Sequence, residues 1–332
     1  MISKMQDRDV QAINELTQVF HDIKSELAKV IVGQEDVIEQ LLISLFARGH
    51  CLLIGVPGLA KTLLIKTLGE ILDLKFSRIQ FTPDLMPSDI TGTEIIEEDV
   101  STGKKSFKYV KGPIFANLIL ADEINRTPPK TQSALLEAMQ EYKVTAAGES
   151  YQMSLPFFVL ATQNPIEQEG TYPLPEAQLD RFMFNLWLDY PNYEQEKTVV
   201  KMTTGSLSNS VNKLIGKEKI IFFQDLVRQV PVADNVIENA VKLAAATRPS
   251  DDGKFPYIKE WIRWGAGPRA SQYLILGAKV RAALLGRITP DLSDVEAMAL
   301  PVLRHRIVVS YNAEAENIFV EDIIKKLLKD IG

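Results

Sequence analysis

The sequence predicts an α/β protein in which a domain with a parallel β-sheet is followed by an all-α domain. Short apolar runs typical of buried parallel strands occur at residues 52–54, 118–121 and 157–161. Helical patterns lie between these runs, and from Tyr190 onward strand alternation ceases while helical periods recur. The chain of 332 residues is long enough for about two domains.

The N-terminal region predicts two helices. Apolar residues at three- and four-residue steps over residues 9–30 predict an amphipathic helix that serves core packing or a subunit contact. Residues 31–34 interrupt the pattern, and a second helix is predicted at residues 35–47.

Residues 51–62 read CLLIGVPGLAKT, an apolar run, a Gly-containing turn and a Lys-Thr pair that opens a helical pattern. This order is typical of a phosphate-binding loop, in which backbone N–H groups and a helix N-terminus surround a triphosphate. Lys61 would reach the β- and γ-phosphates, and Thr62 would hold Mg²⁺ through its hydroxyl. The alternative is a strand-to-helix turn with a chance Lys-Thr pair.

The loop departs from the pattern G-x-x-x-x-G-K-[ST] at one position, because Ala60 stands where the second Gly is expected. An Ala held at φ > 0 costs about 1 kcal/mol. Either Ala60 has ordinary dihedrals, or the loop is slightly strained.

The apolar run at residues 118–121 ends in two carboxylates, Asp122 and Glu123. Open α/β sheets bind ligands at the carboxyl ends of their strands, so this pair is expected beside the phosphate loop. We expect Asp122 to hold Mg²⁺ through a water molecule and Glu123 to orient and polarise the attacking water. The alternative is an ordinary acidic strand end.

Four further elements surround these strands. A strand is predicted at residues 78–81, and a hairpin at 94–110 with its turn at Ser101-Thr102-Gly103. Thr127 is predicted to cap a helix that begins with two prolines. A second hairpin is predicted at residues 143–155.

The strand at residues 157–161 leads to Asn164, the third candidate site residue at a strand end. An amide there can hydrogen-bond both the γ-phosphate and the attacking water, and so report the nucleotide state. The alternative, favoured for the residue in isolation, is an Asn that caps the turn before Pro165.

Two arginines follow. A short helix at residues 175–182 carries Arg181, a candidate arginine finger, and precedes an apolar strand at residues 184–188. Arg269 lies in the first turn of a helix opened by Pro268, an electrostatically poor place for a cation. This placement predicts an anion near Arg269.

Charge and composition restrict the function classes. Acidic residues outnumber basic ones by 43 to 37, for a net charge of −6, so a basic nucleic-acid surface is not indicated. One dense basic cluster is interpreted as a solvated hairpin face. Its members are Lys104, Lys105, Lys108 and Lys111.

Further composition features indicate a cytoplasmic protein. No apolar run approaches the ~18 residues of a membrane span, and the first 20 residues are too polar for a signal peptide. The single cysteine, Cys51, lies in an apolar strand and is interpreted as a packed small residue that forms no internal disulfide.

Together these segments resemble the AAA+ ATPases and, within them, the MoxR group, over about residues 25–332. The resemblance is carried by GVPGLAKT (55–62), LADEINR (120–126), ATQNP (161–165), LPEAQLDRF (174–182) and GPRA (267–270). Ala60 matches the MoxR form of the loop. The two predicted hairpins resemble the insertions of the helix-2-insert branch, which magnesium chelatase and replicative helicases share.

The resemblance implies an N-terminal helix at residues 1–30, an AAA+ αβ nucleotide-binding core at 31–190 and a helical lid at 191–332. It implies ATP and Mg²⁺ as cofactors. It assigns Glu123 as the catalytic carboxylate, Asn164 as sensor 1, Arg181 as the finger and Arg269 as sensor 2. Thr62 and Asp122 are the metal-binding candidates. The segment Ile31–Gln34 matches the adenine-side segment of the family. The nucleotide-binding candidates are Val32, Gly33, Gly55, Val56, Pro57, Gly58, Leu59, Ala60, Lys61, Thr62 and Leu63.

Two assignments stay open. Arg126 also lies near the predicted site, so the finger is not uniquely assigned. Arg269 is expected to serve either its own nucleotide or that of a neighbouring subunit.

The function implied by the resemblance is that of an ATP-hydrolysing, ring-forming remodeller, expected to be a hexamer. Its clients would be von Willebrand A-domain proteins or proteins that receive a metal cofactor, on which it would act as a chaperone. One alternative is a DNA-dependent motor, which the net acidity disfavours. The other is a nucleotide-gated scaffold without turnover, which the presence of Glu123 disfavours.

Overall fold

The structure is a computed structural model of the chain, and it describes residues 7–98, 105–146, 148–167, 169–205, 210–250 and 254–331. The strands are β1 Cys51–Gly55, β2 Phe76–Gln80, β3 Gly92–Glu98, β4 Lys105–Lys111, β5 Leu118–Asp122, β6 Lys143–Ala146, β7 Glu149–Gln152, β8 Phe158–Gln163, β9 Phe184–Leu188, β10 Ile262–Trp264 and β11 Val308–Val309. The helices are α1 Asp7–Ala28, α2 Glu35–Phe46, α3 Lys61–Ile71, α4 Pro87–Thr91, α5 Pro129–Glu141, α6 Glu176–Leu179, α7 Tyr193–Thr204, α8 Lys217–Gln229, α9 Asp234–Ala246, α10 Pro256–Trp261, α11 Pro268–Leu284, α12 Leu292–Leu303, α13 Tyr311–Ala315 and α14 Val320–Ile331.

The central sheet is parallel and has the order β2-β5-β8-β1-β9. Because its strands run in one direction, the carboxyl ends of β1, β5 and β8 meet at one edge. Gln80 lies opposite Asp122, and Leu53 lies opposite Thr162. This edge therefore collects the polar residues that follow the apolar runs.

The sheet is covered on both faces, as expected for parallel strands. Successive side chains of a strand point to opposite faces, and β1 illustrates this. Leu53 packs in one apolar core with residues of α1, α2 and α3, while Leu52 packs in a second core with residues of α5. Both leucines are fully buried. The predicted parallel α/β core is confirmed.

Helix α1 serves core packing, one of the two roles expected for it. It packs against α3, α8 and α11. Its buried apolar stripe consists of Ile13, Leu16, Phe20, Ile23 and Leu27.

Both predicted hairpins are present. Strands β3 and β4 pair antiparallel, as do β6 and β7. The rings of Tyr109 on β4 and Tyr151 on β7 stack with centroids 4.4 Å apart, which joins the two hairpins. The turn predicted at residues 101–103 lies outside the described residues.

Helix α5 begins one residue later than predicted. Pro128 occupies the N-cap position and provides no side-chain cap, so the expectation that Thr127 is the cap was wrong. Thr127 instead donates a hydrogen bond of 3.4 Å to the carbonyl oxygen of Ile124, across the short 3₁₀ turn Ile124–Arg126.

The part of the chain from α7 to α14, here called the lid, is helical as predicted. It also contains an antiparallel ribbon of β10 and β11, whose two or three residues are too short to give an alternating pattern. Apolar residues of α8, α9, α11 and α12 belong to the same core as α1 to α3. Among the described helices, none combines the length and apolar character needed to cross a membrane.

Candidate functional site

The predicted phosphate-binding loop, here called the phosphate loop, lies between β1, which ends at Gly55, and α3, which begins at Lys61. It forms one wall of a cavity of about 470 Å³ at the carboxyl edge of the sheet. The cavity is lined by loop residues 57–63 together with Arg78, Asp122, Glu123 and Asn164. The structure thus brings together the loop and three of the predicted strand-end residues.

Two glycines of the loop have distinct reasons to be glycine. A Cβ on Gly55 would lie 2.8 Å from Cβ of Leu188 on β9, which is closer than real carbon atoms approach. Gly58 has φ of +86°, in the left-handed region that favours glycine. Close strand packing accounts for Gly55, and backbone conformation accounts for Gly58.

Ala60 has φ of 57° and ψ of 22°, so the loop is strained, the second of the two alternatives considered for this residue. Glu123 is also left-handed, with φ of 57° and ψ of 50°. Each such residue costs about 1–2 kcal/mol. Non-glycine residues in this conformation concentrate at functional sites, where the surrounding structure holds them.

Lys61 points back along its own loop. Its Nζ donates a hydrogen bond of 2.6 Å to the carbonyl oxygen of Gly55. Partial burial lowers the pKa of Lys61, and the carboxylates of Asp122, Glu123 and Glu167 act in the opposite direction. The ammonium therefore lies in a partly desolvated position where an anion would be favourable.

Asp122 is fixed by two neighbours. Its Oδ1 accepts a hydrogen bond of 2.6 Å from the hydroxyl of Thr162, and its Oδ2 accepts one of 2.6 Å from Nη2 of Arg78. The same Thr162 hydroxyl accepts a hydrogen bond of 2.9 Å from the backbone N–H of Glu123. Thr162 on β8 thus positions Asp122, the last residue of β5, and Glu123, which follows it.

The Glu123 carboxylate contacts side chains from two other segments. Its Oε2 accepts hydrogen bonds from Nε2 of Gln80 at 2.9 Å and from Nη1 of Arg126 at 3.2 Å. The same Arg126 nitrogen lies 3.4 Å from a carboxylate oxygen of Glu167. Arg126 is thus a contact of Glu123 in the same chain.

Asn164 lies at the cavity and also makes the turn-capping contact considered for it. It lines the cavity, and its side-chain Oδ1 accepts a hydrogen bond of 3.2 Å from the backbone N–H of Ile166. This bond is the turn-capping contact of an Asn that precedes a proline. The residue is 6% exposed, so the turn fixes it at the cavity wall.

The residues present fit a magnesium ion. Thr62 and Asp122 both line the cavity and offer hydroxyl and carboxylate oxygens, the ligand type that Mg²⁺ prefers. Oδ1 of Asp122 accepts one hydrogen bond and keeps a second lone pair, whereas Oδ2 accepts two hydrogen bonds from Arg78. Within the described ranges no group of three or more His, Cys, Asp or Glu could hold a metal. Mg²⁺ is usually held by one or two protein ligands together with water and phosphate, and Thr62 and Asp122 would be those ligands.

The predicted adenine-side segment lies next to the loop. Nε2 of Gln34 donates a hydrogen bond of 3.3 Å to the carbonyl oxygen of Leu59. Gly33 has φ of +71°, and a Cβ on it would lie 2.6 Å from the side chain of Gln195 on α7. Val32 and Gly33 are therefore joined to the loop through Gln34, although they do not line the 470 Å³ cavity.

Arg181 and Arg269 are not brought to the phosphate loop. Both line another cavity, of about 660 Å³, between the core and the lid. Nη1 of Arg181 donates to the carbonyl oxygen of Leu136 at 2.8 Å, and Nη1 of Arg269 donates to the carboxylate of Asp180 at 2.9 Å. Asp180 is the anion that the position of Arg269 predicted.

Comparison with known proteins identifies the family. Residues 50–184 match the ATPase family associated with various cellular activities (AAA), and residues 257–327 match the AAA lid domain. The chain is 41% identical to Chaperone MoxR1 of Mycobacterium tuberculosis over 307 residues, which are 92% of this chain and 80% of the relative. The chain belongs to the MoxR family of AAA+ ATPases.

Two further relatives agree with the family. Protein MoxR of Methylorubrum extorquens is 29% identical over 321 residues, which cover 92% of each chain. A crystal structure from Cytophaga hutchinsonii, described as a candidate ATPase, superposes with a TM-score of 0.90 at 41% identity and covers 97% of each chain.

Sequence reasoning missed three residues of this MoxR site, namely Arg78, Gln80 and Thr162. A signal for them was present, because polar residues at the carboxyl ends of β2 and β8 must lie beside the end of β5. The register places Gln80 directly opposite Asp122. The structure was needed only to show which side chains form hydrogen bonds with one another.

Proposed function

We propose that this MoxR-family chain binds ATP with Mg²⁺ and hydrolyses it to ADP and phosphate. The observation that carries the proposal is the convergence of Lys61, Thr62, Asp122 and Glu123 on one cavity at the carboxyl edge of the sheet. A partly buried cation, a hydroxyl and two carboxylates are the groups that phosphoryl transfer to water needs. The strained loop and the helix N-terminus behind it supply backbone N–H groups for the phosphates.

The roles divide by chemistry. Lys61 would exchange the Gly55 carbonyl for the β- and γ-phosphates, because a charge-assisted bond to phosphate is stronger than one to a neutral carbonyl. Thr62 and Asp122 would hold Mg²⁺, which neutralises phosphate charge when bound. Glu123 would orient the attacking water, with Gln80 and Arg126 setting the position of its carboxylate. Asn164 would contact the γ-phosphate from the cavity wall.

We further propose that the subunits form a ring, expected to be a hexamer, in which Arg181 completes the site of the neighbouring subunit. Arg181 does not line the cavity of its own phosphate loop. Arg181 instead lines the 660 Å³ cavity. Among the described residues that line this cavity, all the charged ones are basic, and their positive potential favours the approach of a polyphosphate. They are Arg48, Arg181, Arg228, Arg269 and Lys279.

The expected client is a protein, and the expected action is that of a chaperone, the word in the name of the Mycobacterium tuberculosis relative. Ile96 and Phe107 face each other across the β3–β4 hairpin and are 62% and 74% exposed, which suits an apolar client surface. Lys105 and Lys108 pair with Glu98 and Glu97 at 3.8 and 3.0 Å. These pairs reduce the positive potential that phosphate-driven DNA binding requires.

A phosphate-release assay tests the enzyme. General-base residues contribute about 10² to 10⁴ in rate, so Glu123→Gln should lower turnover about 100-fold or more while ATP binding persists. If wild-type protein binds ATP without releasing phosphate, the chain is a nucleotide-gated scaffold and the proposal is wrong. If DNA stimulates release strongly and protein clients do not, the chain is a DNA-dependent motor.

A pull-down tests the client class. Glu123→Gln should accumulate in the ATP-bound state and retain clients that the wild-type protein releases. We expect von Willebrand A-domain proteins or proteins that receive a metal cofactor, on the basis of the resemblance to the family. Lys61→Ala, which should not bind ATP well, is the matched control, and a client must be enriched by Glu123→Gln over it.

A further inference from the structure

The main chain around Arg181 is held by side chains of the lid. Each carbonyl oxygen from residue 180 to residue 183 accepts a hydrogen bond from a lid side chain. The bonds are Arg306 Nη2 to Asp180 at 2.8 Å, the Tyr273 hydroxyl to Arg181 at 3.3 Å, Arg306 Nη2 to Phe182 at 2.6 Å and Arg306 Nη1 to Met183 at 3.3 Å. This segment connects α6 to β9, so it leads into the edge strand of the central sheet.

Arg306 is the principal lid contact. It lies between α12 and β11, and its side chain is only 2% exposed. In addition to the carbonyl oxygens, its Nε donates a hydrogen bond of 2.7 Å to Oδ1 of Asp180. A planar guanidinium presents several donors in a fixed arrangement, so one residue can hold a carboxylate and three carbonyls together. A lysine in its place keeps the charge and loses that arrangement.

Asp180 connects this contact to the second predicted arginine. Its Oδ1 accepts from Arg306 and its Oδ2 accepts from Arg269. Burial lowers the pKa of the Arg306 guanidinium, and the Asp180 carboxylate acts in the opposite direction. The three side chains thus form one charged cluster around Asp180, the residue that immediately precedes Arg181 in the chain.

The guanidinium of Arg181 itself is held from the core. It donates to the carbonyl oxygen of Leu136 on α5. The lid therefore fixes the main chain on both sides of Arg181, while the core contacts the side-chain end. A shift of the lid relative to the core must move the base of the Arg181 side chain or break hydrogen bonds of a buried arginine, and the latter is costly.

We propose that Arg306 is a positioning residue for Arg181, so that the lid of each subunit sets the finger presented to the neighbouring subunit. The proposal rests on the trans role of Arg181 proposed above. Asp180 shares the task, because it binds Arg306 and Arg269 at once. Hydrolysis at one nucleotide site is then controlled by the lid of the adjacent subunit.

Mixing experiments test the proposal, because they tell a finger defect from a general defect. Lys61→Ala lacks a working phosphate loop and keeps its finger, whereas Arg181→Ala keeps its phosphate loop and lacks its finger. Arg306→Lys should behave like Arg181→Ala. Alone, we expect its kcat to fall at least tenfold while KM for ATP changes less than about threefold, since its own phosphate loop is intact.

In mixtures, Arg306→Lys should regain activity with Lys61→Ala and gain none with Arg181→Ala. In the first mixture a sound phosphate loop meets a sound finger at hybrid interfaces, and in the second no interface has a positioned finger. A merely structural defect would affect the variant's own nucleotide site, and would give rescue by Arg181→Ala or by neither partner. Either of those results overturns the proposal.

The reference mixture of Lys61→Ala and Arg181→Ala separates this proposal from the one it rests on. If the reference pair fails to complement, the trans finger is wrong and the role of Arg306 falls with it. If the reference pair complements and Arg306→Lys does not complement Lys61→Ala, only the role of Arg306 is wrong.

Two further variants keep the test decisive. Should Arg306→Lys fail to bind ATP or to assemble, Asp180→Asn takes its place, because it keeps the shape of Asp180 and removes the charge that Arg306 and Arg269 share.

Arg281→Lys is the matched control, since Arg281 pairs at 2.6 Å with Asp294, a fully buried carboxylate within the lid. Arg281→Lys should leave kcat within about threefold of wild type. An equal loss in Arg281→Lys would attribute the effect to lid stability and overturn the proposal.

Discussion

Lys61 donates a hydrogen bond of 2.6 Å from its ammonium to the carbonyl oxygen of Gly55, at the opposite end of the same loop. The loop is therefore closed by its own cation, and an incoming phosphate must compete with this carbonyl. The competition favours phosphate, because a bond between two charged groups is stronger than one to a neutral carbonyl. The contact keeps the partly buried ammonium hydrogen-bonded until a nucleotide arrives.

Lys61→Ala should weaken ATP binding and leave the fold intact. Hydrogen bonds to charged groups contribute about 1.5–3 kcal/mol, which corresponds to an affinity loss of about 10- to 150-fold. Titration with a fluorescent ATP analogue measures the loss. Lys66→Ala on the same helix is the control, because Lys66 is 60% exposed and lies 4.0 Å from Glu70 at the surface. Unchanged affinity in Lys61→Ala would exclude the phosphate-binding role.

Gly58→Ala should cost stability and ATP affinity together, whereas Gly148→Ala should cost stability alone. Both glycines have positive φ, +86° and +77°, and a Cβ on either would meet nothing within 4 Å. Each substitution should therefore lower the free energy of unfolding by about 1–2 kcal/mol through backbone strain. Only Gly58 lies in the phosphate loop, where relaxing the strain would turn a backbone N–H away from the cavity.

Denaturant unfolding and ATP titration of the two glycine variants check this prediction. Equal ATP affinities in Gly58→Ala and Gly148→Ala would mean that the conformation of Gly58 does not serve nucleotide binding.

The unfolding free energy should fall as the pH is lowered from about 6.5 to about 4, because of His50. Burial lowers the pKa of this histidine to about 4. Its Nδ1 accepts a hydrogen bond of 3.1 Å from the backbone N–H of Val159, which requires the neutral ring. In the unfolded chain the pKa of this histidine is about 6.5, its ordinary value. Between pH 6.5 and pH 4 the unfolded chain therefore binds a proton that the folded chain does not. The contribution of His50 to stability is fully present above about pH 6.5 and is lost as the pH falls. The unfolding free energy lost through His50 between about pH 6.5 and about pH 4 is about 3 kcal/mol.

Denaturant unfolding at several pH values, with His50→Asn as the comparison, measures the contribution. The variant should be less stable at pH 7 and should show a shallower decline toward pH 4. His305, whose pKa burial and the Arg306 charge also lower, adds a decline of the same sign that both proteins share. If unfolding free energy declines equally with falling pH in the two proteins, His50 is not the cause of the decline.

The sequence predicts the sheet edge of this site because apolar runs and strand-end polar residues are local signals. Asp122 ends β5, Glu123 follows it directly and Asn164 follows β8, so parallel pairing alone brings them together. The loop conformation was left between two alternatives, since a sequence does not state the dihedrals of Ala60. The left-handed conformation of Ala60 could be known only from the folded backbone.

The lid contacts of Arg181 were beyond sequence reasoning for a different reason. Arg306 lies 126 positions after Asp180 in the chain, and a buried arginine gives no periodic pattern. Only the unfavourable position of Arg269 at a helix N-terminus indicated that an anion lies nearby. Its identity as Asp180 depends on how the lid packs on the core.

Arg126 is the other arginine near the predicted nucleotide site, and its substitution should have a small effect. Its Nη1 lies 3.2 Å from Glu123 and 3.4 Å from Glu167 of the same chain, and its side chain is 39% exposed. Pairs with this exposure contribute less than about 1 kcal/mol, so we expect Arg126→Ala to lower kcat by less than about tenfold. A finger contributes about 10³ to 10⁵ in rate, so Arg181→Ala should lower kcat far more.

Mixing with Lys61→Ala separates the two arginines by geometry as well as by magnitude. If Arg126 acts on its own subunit's Glu123, no site in a mixture of Arg126→Ala with Lys61→Ala contains both a sound lysine and a sound Arg126. The mixture should then show no more activity than its two components measured apart. Arg181→Ala mixed with Lys61→Ala is the positive control, because its two defects fall on different sides of a subunit interface. Recovery with Arg126→Ala and none with Arg181→Ala would transfer the finger role to Arg126, since only a residue that reaches across the interface can be supplied by the other subunit.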